Sequence, residues 1–417
     1  MTRQDDFKEL MALWQAKVDE GEDPIRILVE YAVQKIMELE FTEFLGAESG
    51  ERTGTRRGYR NGYRPRTLTT RVGKLELLVP RDREGRFSPE LFQRYQRSEK
   101  GFVLALMEMY VQGVSTRRVK KITEQLCGIE VSSSQVSKLS SNLDEHIKAW
   151  RSRRIEHEYR YLIVDAMFEK VRHGAEVLSD AVLVVTGIRD DGYRQHLGVW
   201  MGNTESEATW SDVFSDLKDR GLRGVRYVVS DKHKGIEAAI ARHFQGAIWN
   251  RCQVHFKRNV CSRVRRQDQE WAASLIRDIT DAPTIDKARK LQRKAAEGFS
   301  ERYPDVARMV DEEGEEMLAV YALPPGHRRR MRSTNMLERW FEEIRRRTKV
   351  IRIFPNRASC IRLVGTHCIE ANEEWLGRRY LNMEREEVER ELEKIFDSAS
   401  EGAPVPSAPS EAAVVEM

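Results

Sequence analysis

Tyr161-Leu-Ile-Val-Asp165 and Tyr227-Val-Val-Ser-Asp231 decide the fold of this chain. Each is a short run rich in β-branched and aromatic residues that closes on an aspartate. Runs this short and apolar read as strands buried on both faces. A carboxylate at the end of such a strand costs desolvation energy unless it is paired or holds a cation. If the two strands are neighbours in one sheet, both aspartates fall on the same sheet edge.

Working outward, Ala181–Ile188 and His196–Trp200 read as two more strands, joined through a tight turn at Arg189-Asp-Asp-Gly192. A helical stretch, Glu205–Arg220, leads through Gly221 to the strand Val225–Val229. A second, Gly235–His243, leads to Ala247–Asn250. Three strands in close succession, then strand–helix alternation, predict an α/β domain with a mixed sheet, part antiparallel and part parallel. Residues 252–320 carry only helical patterns. Ser333–Thr348 reads as a further helix, and Pro355 breaks the pattern after it.

Upstream, residues 1–48 read as amphipathic helices, with Leu28, Ala32, Ile36 and Leu39 at helical spacing and Gly46 as a stop. Residues 50–66 read as a flexible basic loop, and Thr67–Val72 with Leu75–Val79 as a hairpin. Phe102–Val111, a helix from Ser115 to Gly128, and a third helix capped by Ser132 or Ser133 form a helical cluster. The third helix would turn Val136, Leu139, Leu143 and Ile147 inward. This is a helix-turn-helix-like pattern, in which Ser134, Gln135, Ser137 and Lys138 would face a major groove; many three-helix bundles share it.

The chain has 417 residues, of which 40% are hydrophobic and 33% charged, with a formal net charge of +4. That core content excludes wholesale disorder, and no apolar run approaches the roughly 20 residues of a membrane helix. The start, MTRQDDF, does not resemble a signal peptide. Five scattered cysteines do not make a disulfide framework. These features predict a soluble, cytoplasmic protein of several domains. The small net charge conceals segregation. Glu51–Lys100 holds 14 basic and 6 acidic residues, Arg251–Arg266 holds 6 and none, and Gly326–Arg352 holds 10 and 3. Met383–Gly402 is acidic, with 8 acidic and 3 basic residues. Three separate basic blocks, one interleaved with aromatics and glycines at Gly58-Tyr-Arg-Asn-Gly-Tyr-Arg64, point to a nucleic acid.

A third carboxylate, Glu338, lies on the helix that begins near Ser333. Three carboxylates can hold two divalent ions about 3.5–4 Å apart, the arrangement that serves in-line phosphoryl displacement. Structural roles compete. Asp231 can cap the helix Gly235–His243. Asn335-x-x-Glu338 matches a capping-box variant, and Glu342 and Glu343 rival Glu338 for the third position. Cys252 and His255 have zinc-like spacing without a second ligand pair; a buried thiol beside a helix N-terminal histidine reads equally well. Trp271 reads as core or as a platform for an unpaired base.

These residues resemble, in order, the blocks of mutator-type insertion-sequence transposases. Asp165-Ala-Met-Phe-Glu-Lys-Val-Arg172, Asp191-Gly-Tyr-Arg194 and Leu197-Gly-Val-Trp200 resemble the first catalytic block. Val229-Ser-Asp-Lys-His-Lys-Gly235 resembles the second. Arg251-Cys-Gln-Val-His-Phe-Lys-Arg-Asn259 is similar to the family's Cys-x-x-His signature. Ser333-Thr-Asn-Met-Leu-Glu338, with Arg345-Arg-Arg-Thr-Lys349 and Phe354-Pro355, resembles the third block. Arg60-Asn-Gly-Tyr63, Val79-Pro-Arg-Asp-Arg83 and Tyr110-Val-Gln-Gly-Val-Ser-Thr116 also fit, so the resemblance spans roughly residues 50–395.

The resemblance implies an RNase H-like catalytic domain with Asp165, Asp231 and Glu338 as a DDE triad using two Mg²⁺ or Mn²⁺ ions. It implies an N-terminal DNA-binding region over 1–155 and a catalytic domain in two parts, 156–251 and 331–398. A helical insertion at 252–330 would separate them, and a disordered tail would cover 399–417. Strand cleavage at terminal inverted repeats and transfer to target DNA would follow, by a homodimer or higher synaptic oligomer associated with the nucleoid and not with a membrane. Arg60, Arg64, Gln135, Lys138, Lys232, Lys257, Arg258, Trp271, Arg345, Arg346 and Lys349 are the expected DNA contacts. Lys232 and His233 stand where many relatives carry a small glycine, and Lys232 is expected to reach the scissile phosphate rather than form a salt bridge. The alternative is an inactive helix-turn-helix regulator that retains an RNase H-like domain.

Overall fold

The computed structural model describes residues 3–89, 99–141 and 143–383. The chain divides into two compact units, residues 1–141 and 142–417. The expected tail at 399–417 and most of the acidic segment lie outside the described residues. Among the described residues no helix is long and apolar enough to cross a membrane, and all five cysteines are free.

In the first unit, helices α1 (Arg3–Asp19) and α2 (Pro24–Leu45) precede a hairpin of β1 (Arg60–Thr70) and β2 (Gly73–Asp82). Asp23 caps α2 by accepting the Ile25 and Arg26 N–H groups, and left-handed Gly46 ends it. Met37 of α2 packs with Leu68, Leu75, Leu77 and Val79 of the hairpin. β1 begins seven residues before the expected strand, inside the stretch read as a loop. A bulge between Arg60 and Tyr63, with Gly62 at φ 69°, absorbs the extra residues. Helices α3 (Lys100–Val111), α4 (Thr116–Cys127) and α5 (Ser133–Ser140) then enclose Phe102, Leu106, Val119, Ile129, Val131 and Val136. The Ser115 cap and the Gly128 stop of α4 are as expected. The third helix is not. It ends at Ser140, and the residues read as its second half form α6 (Leu143–Ser152) in the second unit, where Ile147 packs near Gly365.

The second unit is built on a five-stranded mixed sheet of order β5-β4-β3-β6-β7. Its members are β3 (Tyr159–His173), β4 (Glu176–Arg189), β5 (Arg194–Gly202), β6 (Tyr227–Ser230) and β7 (Ile248–Arg251). β3, β4 and β5 are antiparallel neighbours, and β6 runs parallel to both β3 and β7. This is the expected mixed sheet. Helices α7 (Glu207–Asp219) and α8 (Lys234–His243) cover one face, where Trp210, Phe214 and Ile240 meet Leu162, Val164 and Val228. From Arg251 onward the chain is helical through α9 (Gln253–Ser262), α10 (Gln269–Thr280), α11 (Ile285–Ser300), α12 (Pro304–Glu313) and α13 (Pro325–Met331). These helices share a core around Phe256, Ile276, Phe299 and Val310. Helices α14 (Asn335–Ile351) and α15 (Arg357–Trp375) return to the other face of the sheet, setting Leu337, Phe341 and Leu363 against Tyr161, Ile163, Tyr227 and Val229.

Asp165 does not end its strand: β3 runs eight residues further, to His173, paired with β4 throughout. The apolar run stops at Val164, but alternation takes over, with Met167 and Val171 buried and Phe168, Lys170 and Arg172 exposed. A strand covered on one face is enough to continue the ladder.

Candidate active site

β3 and β6 place two carboxylates side by side. Tyr161 pairs with Tyr227, Leu162 with Val228 and Ile163 with Val229. Asp165 and Asp231 each lie two residues beyond the last pair, so they stand at the same height and on the same face. That face carries Tyr161, Ile163, Tyr227 and Val229, and it is the face on which α14 packs. Glu338, in the first turn of α14, therefore approaches the same edge.

Two competing structural roles disappear. His233, not Asp231, is the N-cap of α8, its Nδ1 accepting the Gly235 N–H at 3.3 Å. The N-cap of α14 is Thr334, with no side-chain capping bond, so Glu338 is not spent in a capping box. Glu338 instead meets α9. His255 Nε2 lies 2.8 Å from Glu338 Oε1, and Arg258 sets one guanidinium nitrogen 3.4 Å from each carboxylate oxygen. The other imidazole nitrogen, Nδ1, is buried without a hydrogen-bond partner, 4.0 Å from Asp231 Oδ1.

Cys252 holds the two helices together. It is buried at the start of α9, its N–H donates to the Ser230 carbonyl at 2.7 Å, and its Sγ receives the Thr334 N–H at 3.4 Å. Beside it, the Gln253 N–H donates to the Arg332 carbonyl at 3.0 Å. The start of α9 is thus joined both to β6, just before Asp231, and to the chain entering α14, just before Glu338. Burial raises the Cys252 thiol pKa, keeping it a neutral packing group.

Electrostatics marks the cluster. Burial pushes the Asp165 carboxyl up to about 8; hydrogen bonds from the Ala166 N–H and the Thr334 hydroxyl oppose this, and the Glu338 and Asp231 charges add to it. A carboxyl raised mainly by burial, with further carboxylates beside it, marks a group short of positive charge. Three oxygen donors of this kind fit a hard divalent cation such as Mg²⁺ or Mn²⁺. As they stand, no three acidic, histidine or cysteine side chains among the described residues are gathered closely enough to hold one; Glu338 is turned onto His255 and Arg258.

Reasoning from sequence missed several neighbours. Glu205, just before α7, has its pKa raised by burial, with Asp231 adding to the shift and His233 opposing it. Thr334 links Cys252 to Asp165. Glu313 and Glu316 engage Lys232, whose Nζ lies 3.4 and 2.6 Å from them. Lys232, expected at the phosphate, is thus in the salt bridge that the sequence reading ranked second. Only the closeness of these groups in space marks them.

The family described as "Transposase, Mutator family" matches residues 1–377. The chain belongs to the Mutator family of transposases. The transposase for insertion sequence element ISRM5 of Rhizobium meliloti (strain 1021) is 48% identical over 363 residues, 87% of this chain and 91% of the relative. The transposase for insertion sequence element IS256 in transposon Tn4001 of Staphylococcus aureus is 39% identical over 381 residues, covering 87% and 97%. That for IS406 of Burkholderia multivorans is 40% identical over 375 residues, covering 89% and 95%.

Within this Mutator-family chain, the expected DNA contacts are dispersed. Arg60 is drawn inward, donating to Thr42 Oγ1 at 2.8 Å over the Phe41 ring, whereas Arg64 is exposed on β1. Gln135 closes a capping box with Ser132, and Lys138 is exposed. On α9, Lys257 is half-buried and Arg258 faces Glu338. Trp271 packs edge-on against Phe299 yet stays 40% exposed. Arg345 and Lys349 are exposed on α14, where Arg346 pairs with Glu343 at 2.8 Å.

Proposed function

We propose that this chain is a DNA transposase of the DDE class. It would bind the terminal inverted repeats of an insertion sequence and carry out strand cleavage and strand transfer. The observation that carries the reading is the equal height of Asp165 and Asp231 on adjoining parallel strands, with Glu338 delivered to the same face by α14. The sheet order, with antiparallel strands on one side of β3 and parallel ones on the other, supports an RNase H-like catalytic domain.

Asp165, Asp231 and Glu338 would hold Mg²⁺ or Mn²⁺. Such ions, when bound, activate a nucleophilic oxygen and stabilise the leaving one in an in-line displacement. The chain's own residues prepare this. β3 carries Asp165 and the end of β6 presents Asp231, Cys252 and Thr334 fix the start of α14, and His255 orients Glu338. Arg258 of α9 lies beside Glu338, and it and the exposed Arg345 and Lys349 further along α14 would receive the phosphate backbone. Pairing of two ends would require at least a dimer.

The test is a supercoiled plasmid carrying the element ends, with Mg²⁺ and either the wild-type protein or Asp165→Ala. Cleavage by the wild type and none by the variant, at equal end-binding, is expected. Equal cleavage by both overturns the assignment.

A further inference from the structure

β3 and β4 extend past the carboxylates as a two-stranded arm whose faces differ sharply. On the side of α14 and α15, Met167 and Val171 are buried, and Glu169 accepts the Thr348 hydroxyl at 2.8 Å. The opposite face carries Phe168, Lys170 and Arg172 of β3. Across the ladder from them stand Ala181, Ser179 and Val177. Here Phe168 is 53% exposed, and Lys170, Arg172, Val177 and Ser179 are exposed as well. The pairing places no acidic side chain on this stretch of the face, since Asp180 and Glu176 pair with Glu169 and His173 on the other side. Among the described residues, neither Lys170 nor Arg172 has an ion-pair partner.

We infer that this face, on the side of β3 away from the carboxylates, receives an unpaired stretch of the bound DNA, with Phe168 as a stacking platform and Lys170 and Arg172 on the phosphates. The inference rests on the transposase reading and adds a substrate surface to it. Side chains two residues apart on a strand are about 7 Å apart, so Phe168, Lys170 and Arg172 match a nucleotide spacing; Phe168 lies about 10 Å along β3 from Asp165 and on the other face. An aromatic ring flanked by unneutralised cations is how unpaired nucleotides are held without sequence preference: every base has a π-face, and the backbone carries the charge. The apolar content is one ring and one valine. That is far below the roughly 800 Å² each partner contributes to a standard protein interface, so charge complementarity selects DNA over a second copy of the chain.

The experiment uses the full-length protein and a 20-nucleotide oligothymidylate carrying 5-iodouracil. Near-ultraviolet crosslinking and peptide mapping should place adducts within residues 166–179. In anisotropy titrations with the labelled oligonucleotide, Phe168→Ala should weaken binding at least about fivefold with an unchanged salt slope. Lys170→Gln/Arg172→Gln should lower the slope of log K against log salt by about 1.4. Adducts only elsewhere, with Phe168→Ala binding like wild type, overturn this surface and leave the transposase reading standing. Absence of any DNA binding by the full chain overturns both. A change of sedimenting mass in Phe168→Ala at unchanged affinity makes the face a contact between copies and likewise overturns the proposal.

Discussion

His255 Nε2 lies 2.8 Å from Glu338 Oε1, while its Nδ1 is buried without a partner, 4.0 Å from Asp231 Oδ1. One imidazole thus stands between Asp231, at the end of β6, and Glu338, on α14. In the proposed mechanism it orients Glu338 without touching substrate, so its loss should lower activity without unfolding the protein. His255→Ala is expected to cut plasmid cleavage by about 10–100-fold, the usual cost of losing a residue that orients a metal ligand. His255→Gln, which keeps a donor toward Glu338, should recover part of it. Circular dichroism melting should be nearly unchanged in both.

Thr334 tests the joint between α9 and α14. Its N–H donates to the buried Cys252 sulfur at 3.4 Å, and its hydroxyl, 3.6 Å from that sulfur, stands where its single proton can serve either the sulfur or the Asp165 carboxylate. Thr334→Val keeps the shape and removes the hydroxyl, so urea denaturation should show a loss of about 1–2 kcal/mol. Thr334→Ser should retain most of that stability.

Gly235 allows α7 and α8 to touch. A Cβ there would stand 2.6 Å from the Glu207 nitrogen and 2.7 Å from the Ser206 carbonyl carbon, backbone atoms that cannot rotate away. Gly235→Ala is expected to cost about 1–3 kcal/mol through overpacking. The strain falls four residues from Asp231, so cleavage should fall along with the melting temperature.

Asp180 gives a pH signature on the arm beside the site. Burial raises its pKa, but the hydrogen bonds from Arg357 Nε at 2.7 Å and His173 Nε2 at 2.9 Å outweigh that, and the folded value lies below the ordinary 3.8. A depressed carboxyl contributes stability that is fully present above pH about 4 and is lost as pH falls through the folded value. Unfolding free energy measured by urea titration should therefore drop more steeply below pH 4 in wild type than in Asp180→Asn. Equal slopes would show that this pair does not govern the acid limb.

Some of this was legible in the residues themselves. The strands at Tyr161 and Tyr227, the Ser115 cap and Gly128 stop, and the helical texture after Arg251 follow from local chemistry, because caps, turns and apolar runs act over a few residues. The length of β3 was not, because its outer half is covered on a single face and mixes Phe168 on the exposed side with Glu169 on the covered one. Nor was the end of α5, since Val136, Leu139, Leu143 and Ile147 keep one helical spacing across two helices that belong to different units.

By itself, then, the sequence determined most of the elements and that Asp165 and Asp231 each close an apolar run. Tertiary structure decided that β3 and β6 are parallel neighbours in a register that sets the two aspartates level. It decided too that Glu338 arrives from a distant helix against His255, and that Lys232 turns to Glu316. The physical reason is range: capping and periodicity are properties of neighbouring residues, whereas register and the meeting of charges depend on how separately formed elements pack.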